Sequence, residues 1–131
     1  KKYGCKNIAL LKCTSTYPAK ALNSNLKTIP HMKDLFNCEV GLSDHTLGIG
    51  TAVAATALGA TVIEKHFTLD KSMEGNDHKV SLLPEEFKSM VEGVRQVEEA
   101  LGTASERQLS QGELMNRETL AKSLIIRQSL K

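Results

Sequence analysis

No stretch of this chain is apolar for long enough to span a membrane, and its start carries no signal-like segment, so the cytoplasm is the expected location. Nor is there a block of lysine and arginine interleaved with aromatics. The 17 basic and 15 acidic residues leave a net charge of +2, and nucleic acid is not an expected partner. Cysteine is scarce too. Cys5, Cys13 and Cys38 are odd in number and show no CxxC spacing, which argues for reduced thiols and no disulfide. An initiating methionine is also missing, and the expectation is that something upstream has been lost. What is present suits a soluble globular domain: 131 residues, 40% hydrophobic and 24% charged.

Taken in order, Ile8-Ala9-Leu10-Leu11 reads as a buried strand running into Lys12-Cys13-Thr14-Ser15-Thr16-Tyr17, with Pro18 as its stop. A polar loop leads to a helix that Thr28 can cap, with Pro30 in its first turn and Met32, Leu35 and Phe36 on its apolar face. Residues 48–59 form an alanine-rich run of helical length that ends on Gly59, with Val53, Ala54, Ala57 and Leu58 as its expected buried side. A polar loop over 69–81 is long enough to suggest function. Pro84-Glu85-Glu86 opens an amphipathic helix that Gly102 closes. From 103 the chain reads as a linker, with a short helix over 113–122 and a partnerless strand at Ser123-Leu124-Ile125-Ile126.

Two stretches organise the rest. Gly41-Leu42-Ser43-Asp44-His45-Thr46 closes one β-branched apolar run, and Glu64-Lys65-His66-Phe67-Thr68 closes another, so each histidine falls at the carboxyl end of a strand. The helix between them makes a parallel crossover, which brings both ends to one edge of the sheet. On adjacent strands, about 4.8 Å apart, the two imidazoles can reach one divalent ion and leave positions open for water and substrate. Alternation puts Ser43 on the face of His45 and Glu64 on that of His66, and turns Asp44 and Lys65 away. Asp44 then serves as a helix cap, and Lys65 as a solvated or salt-bridged residue. Glu64 has two open roles, holding a metal-bound water or ligand and acting as a structural carboxylate. From spacing alone Ser15 and Ser43 read as turn residues, Tyr17 as packing over the sheet end, and His31 and His78 as ordinary.

The segments CTSTYP, GLSDHTLGI, ALGATVIEKHFTLD, EGNDHKVSLLPEEF and VRQVEEALG resemble, in order and with little gapping, the sialic acid synthase family of phosphoenolpyruvate-condensing enzymes. The EGND form followed by His78 is more similar to the neuraminate and legionaminate synthases than to the pseudaminate branch. The resemblance implies an α/β fold, the last three βα units of a (β/α)8 barrel over residues 1–102. Residues 103–131 would then be a linker and the start of an antifreeze-like domain. It also implies that His45 and His66 hold a divalent metal, Mn²⁺ first, with Mg²⁺ or Co²⁺ as alternatives. Ser15 and Ser43 would hold the phosphate of phosphoenolpyruvate, and Tyr17 and Asp77 an N-acylated amino sugar.

The implied reaction joins phosphoenolpyruvate to the open-chain aldehyde of such a sugar, and His45, His66 and Glu64 are its candidate catalytic residues. A whole barrel needs roughly 250 residues. Three strands cannot close, so the isolated chain is expected to be inert and its open sheet edges to invite pairing, as a homo-oligomer or with other polypeptide. The competing reading is a non-catalytic module that keeps the metal and phosphate corner and uses those edges for association.

Overall fold

The computed structural model describes residues 4–103 and 108–125. Three parallel strands form one sheet in the order β1-β2-β3: β1 (Ala9–Cys13), β2 (Glu39–Asp44) and β3 (Ile63–Lys65). Between them run α1 (Thr28–Phe36) and α2 (Gly50–Ala57); after the sheet come α3 (Pro84–Leu101) and α4 (Gln111–Leu120). Each crossover thus returns the chain to the same end of the sheet, as the alternation of strand and helix patterns predicts.

Register decides what stands beside what. Cys13 pairs with Ser43 and Ser43 with Glu64; one step further along, Asp44 pairs with Lys65. The sheet's two faces therefore divide cleanly. Val40 and Leu42 join Ile29, Ala55 and Ala60 in a core beneath the helices, with Leu26, Met32 and Ile63 packed against it. Ile29 and Val40 are fully buried, and each such side chain contributes about 1.5–3 kcal/mol as an upper estimate. A second cluster of Ala52, Leu82 and Met90, sharing Ile63, binds α2 to α3.

On the other face Gly41 lies against its neighbouring strands. A Cβ there would stand 2.3 Å from the Val62 carbonyl oxygen and 2.7 Å from Leu11 Cδ2, so only glycine permits this strand spacing. Beyond β3, the loop over 69–81 returns the chain beside it. The Leu82 N–H donates to the His66 carbonyl and the Thr68 N–H to the Leu82 carbonyl, both at 2.9 Å.

Several local expectations shift. The buried side of α2 is Ala52, Ala55 and Thr56, while Ala54, Ala57 and Leu58 are exposed. The helix contacts both the sheet and α3, and the smallest side chains face the tightest gap; Val53 is half-buried toward Gly93. Lys27, not Thr28, occupies the N-cap of α1, with no side-chain cap; Thr28 is the first helical residue and its hydroxyl accepts from Asn25 Nδ2 at 2.9 Å. On that helix Ile29 and Met32 pack inward, whereas Leu35 and Phe36 are exposed. Residues 121–125 form no strand among the described residues, and Ile126 falls outside them. α3 follows its signals from end to end: Pro84 opens it, the Glu86 carboxylate accepts from the Leu83 N–H at 2.8 Å, and Gly102 closes it at φ +56°. Among the described residues no helix is long and apolar enough to cross a membrane.

Candidate active site

His45 and His66 follow β2 and β3 directly, so the parallel register sets them side by side at the carboxyl edge. Their ring centroids are 5.3 Å apart and nearly perpendicular. Tyr17, in the turn after β1, packs against both, 5.0 Å from the His45 ring and 4.5 Å from that of His66. The turn contains a cis peptide bond between Tyr17 and Pro18.

His45 Nδ1 lies 2.9 Å from the Thr14 carbonyl oxygen. A carbonyl only accepts, so the proton sits on Nδ1 and the Nε2 lone pair is left for a metal. This is the orientation that ligating histidines adopt. His66 Nδ1 is 3.9 Å from Asp77 Oδ2, close enough to share a site with the loop but too far for a hydrogen bond. Among the described residues no group of three or more His, Cys, Asp or Glu side chains could hold a metal. The two imidazoles are thus the candidate donors for a metal, and such a pair would leave further positions open.

One layer below, Ser43 Oγ donates to Glu64 Oε1 at 2.6 Å. The alternation that sequence predicts holds here, and the two side chains meet because their residues are register partners. The Tyr17 hydroxyl is buried and makes no hydrogen bond among the described residues. The neighbouring Ser81 hydroxyl spends its proton on the Asp77 carbonyl at 2.7 Å. Burial pushes the Tyr17 phenol above its usual value; Ser81 opposes this, and the Asp77 carboxylate adds to it. A buried phenol without a partner is costly in a finished core. Ser15, by contrast, stands apart, exposed in the loop after β1 with no hydrogen bond to the other site residues.

Four further residues support the site in ways the sequence leaves open or misses. Thr14 acts through its carbonyl, which carries no sequence signature. Lys65 is salt-bridged, one of the two roles expected of it, and its buried partner is Asp44, which does not cap α2 as expected: Ile49 occupies that N-cap, and Asp44 accepts from Thr46 instead. His78, ordinary by sequence, lies 2.7 Å through Nδ1 from the hydroxyl of buried Thr68, pinning the loop that carries Asp77.

Residues 1–106 match the model of the NeuB family. The chain belongs to the NeuB family. Among its NeuB relatives, N,N'-diacetyllegionaminic acid synthase of Campylobacter jejuni is 48% identical over 132 residues, covering 99% of this chain and 39% of that protein. Pseudaminic acid synthase of the same bacterium is 58% identical over 96 residues, covering 73% of this chain and 28% of its own length. The crystal structure of a sialic acid synthetase from Leptospira borgpetersenii in complex with citrate superposes with a TM-score of 0.73 at 33% identity. That match covers 86% of this chain and 40% of the other. The three-stranded sheet with its helices is thus a piece of the NeuB (β/α)8 barrel, and the chain spans less than half the length of these relatives.

Proposed function

We propose that this chain builds one rim of the active site of a phosphoenolpyruvate-dependent synthase. The reaction joins phosphoenolpyruvate to an N-acylated amino sugar such as N-acetylmannosamine, giving a nine-carbon sialic-type acid and inorganic phosphate. The observation that carries this reading is the pairing of His45 with His66 across Tyr17, at the strand edge where barrel sites form. Membership of the NeuB family and relatives named as sialic-type acid synthases support it. The EGND sequence at 74–77 favours a neuraminate- or legionaminate-type sugar.

A divalent ion, Mn²⁺ in first place, held by His45 and His66 would offset the negative charge that develops on the aldehyde oxygen. The residues of this chain do the rest by position. Ser43 and Ser15 supply hydroxyls to the phosphate, with Ser15 moving inward from its exposed loop. Tyr17 brings a phenol and Asp77 a carboxylate to the sugar, which gives the buried Tyr17 hydroxyl the partner it lacks. Glu64 sits against Ser43, where it can hold the water that adds to the former enol carbon as phosphate leaves.

Calorimetric titration of the chain with Mn²⁺, then with phosphoenolpyruvate, should detect both. His45→Ala and His66→Ala should each abolish Mn²⁺ binding while leaving far-UV circular dichroism unchanged. The chain alone should release no phosphate from phosphoenolpyruvate and N-acetylmannosamine, since three strands do not close a barrel. Failure of the unaltered chain to bind Mn²⁺ would sink the metal reading.

One observation favours a second reading, an association module: among the described residues β1 and β3 are each paired with β2 alone, leaving two strand edges open. Light scattering distinguishes a concentration-dependent oligomer from a monomer.

A further inference from the structure

Behind the two histidines, on the helix side of the sheet, a buried ion pair touches neither imidazole yet is covalently next to both. Lys65 Nζ donates to Asp44 Oδ2 at 2.7 Å and to the Thr46 carbonyl at 2.6 Å. The two charged side chains are only 2% and 1% exposed. Asp44 Oδ1 in turn accepts from the Thr46 N–H at 2.9 Å and from the Thr46 hydroxyl at 2.8 Å. His45 is therefore flanked on both sides by residues tied to one ammonium, and the residue carrying that ammonium directly precedes His66.

Burying such a pair is a weak route to stability, because desolvation offsets most of the attraction and an apolar pair of similar volume would hold the strands as well. What the ion pair does supply is geometry. An ammonium fixed between two oxygen acceptors sets the path by which residues 44–46 leave β2, and thereby the distance from His45 to His66. Metal binding is sensitive to such placement, since loss of the groups that orient ligands costs roughly ten- to hundredfold in affinity.

We infer that Lys65 and Asp44 are positioning residues for the His45–His66 pair, fixing the separation at which two ring nitrogens grip one divalent ion. This rests on the metal role given to the two histidines above.

The test is Mn²⁺ titration of the full chain, followed by the electron paramagnetic resonance of the free ion, with circular dichroism as the control for folding. In the double variant Asp44→Leu/Lys65→Met no charge is left buried without a partner, so the fold should persist while Mn²⁺ affinity falls roughly tenfold or more. Lys65→Met alone leaves the Asp44 carboxylate uncompensated, which by charge alone would strengthen cation binding. Weaker binding in that variant therefore has the sign of lost geometry rather than lost charge. Undiminished affinity in the folded double variant overturns the inference and leaves the metal site standing. No Mn²⁺ binding by the unaltered chain overturns both.

Discussion

The Ser43 hydroxyl donates its proton to Glu64 Oε1 at 2.6 Å, so the group expected to meet phosphate is already engaged by a carboxylate. Phosphate and Glu64 then compete for one donor, and their negative charges repel across it. Glu64→Ala should free Ser43 and tighten phosphoenolpyruvate binding by about three- to tenfold, the yield of one modest hydrogen bond. Ser43→Ala should weaken it. Calorimetry with phosphoenolpyruvate checks both, and equal affinities in all three proteins would remove Ser43 from the phosphate site.

His78 holds the Asp77 loop through its contact with Thr68, and Gly75 gives it room: a Cβ at that glycine, whose φ is +133°, would lie 3.1 Å from His78 Cδ2. His78→Ala should raise amide exchange over residues 70–80. It should leave Mn²⁺ affinity nearly unchanged, since neither His45 nor His66 is altered. Binding of N-acetylmannosamine, measured by saturation-transfer NMR, should weaken.

Gly41→Ala places a methyl group against the Val62 carbonyl and Leu11, where the central strand has no room. Forcing the strands apart should cost about 1–3 kcal/mol in urea unfolding, the usual range for overpacking. Because Ser43 lies two residues further along the same face, phosphoenolpyruvate binding should fall as well. An unchanged midpoint would mean that the sheet yields there.

Lys71 Nζ donates to Glu86, and with the Leu83 N–H it holds the Glu86 carboxyl below its usual range. A depressed carboxylate stabilises the fold above its unfolded value of about 4.3, and that stability is lost as pH falls through the folded value. Both partners are more than a third exposed, so solvent screens the pair and the effect should stay below about 1 kcal/mol. Glu86→Gln should therefore unfold at lower urea near neutral pH, and the difference should vanish in acid. A difference that persists below pH 2 would assign the effect to something other than ionisation.

Much of the site was legible because β-structure is periodic. The alternation Gly41, Ser43, His45 and its counterpart Glu64, His66 comes from the backbone itself, and a single parallel crossover is enough to bring the two sets to one edge. α3 was legible for a similar reason, since proline, early acids and a terminal glycine act locally. The buried face of α2 was not, because an alanine-rich helix is apolar all round and its neighbours choose the side that packs. Of the partnerless strand expected over 123–126, the described residues 123–125 form none: β-propensity alone makes no ladder.

What the amino-acid order determined by itself is the strand–helix–strand unit and the two histidines at its carboxyl edge. Those follow from periods of two and 3.6 residues, which are properties of short peptide stretches. Only the tertiary structure decided that Tyr17 would pack against both rings, that Lys65 would find Asp44 behind them, and that His78 would pin its loop to Thr68. These contacts join segments that share no local pattern. They exist because strand register and loop closure bring distant atoms within hydrogen-bonding reach, and no local periodicity encodes that distance.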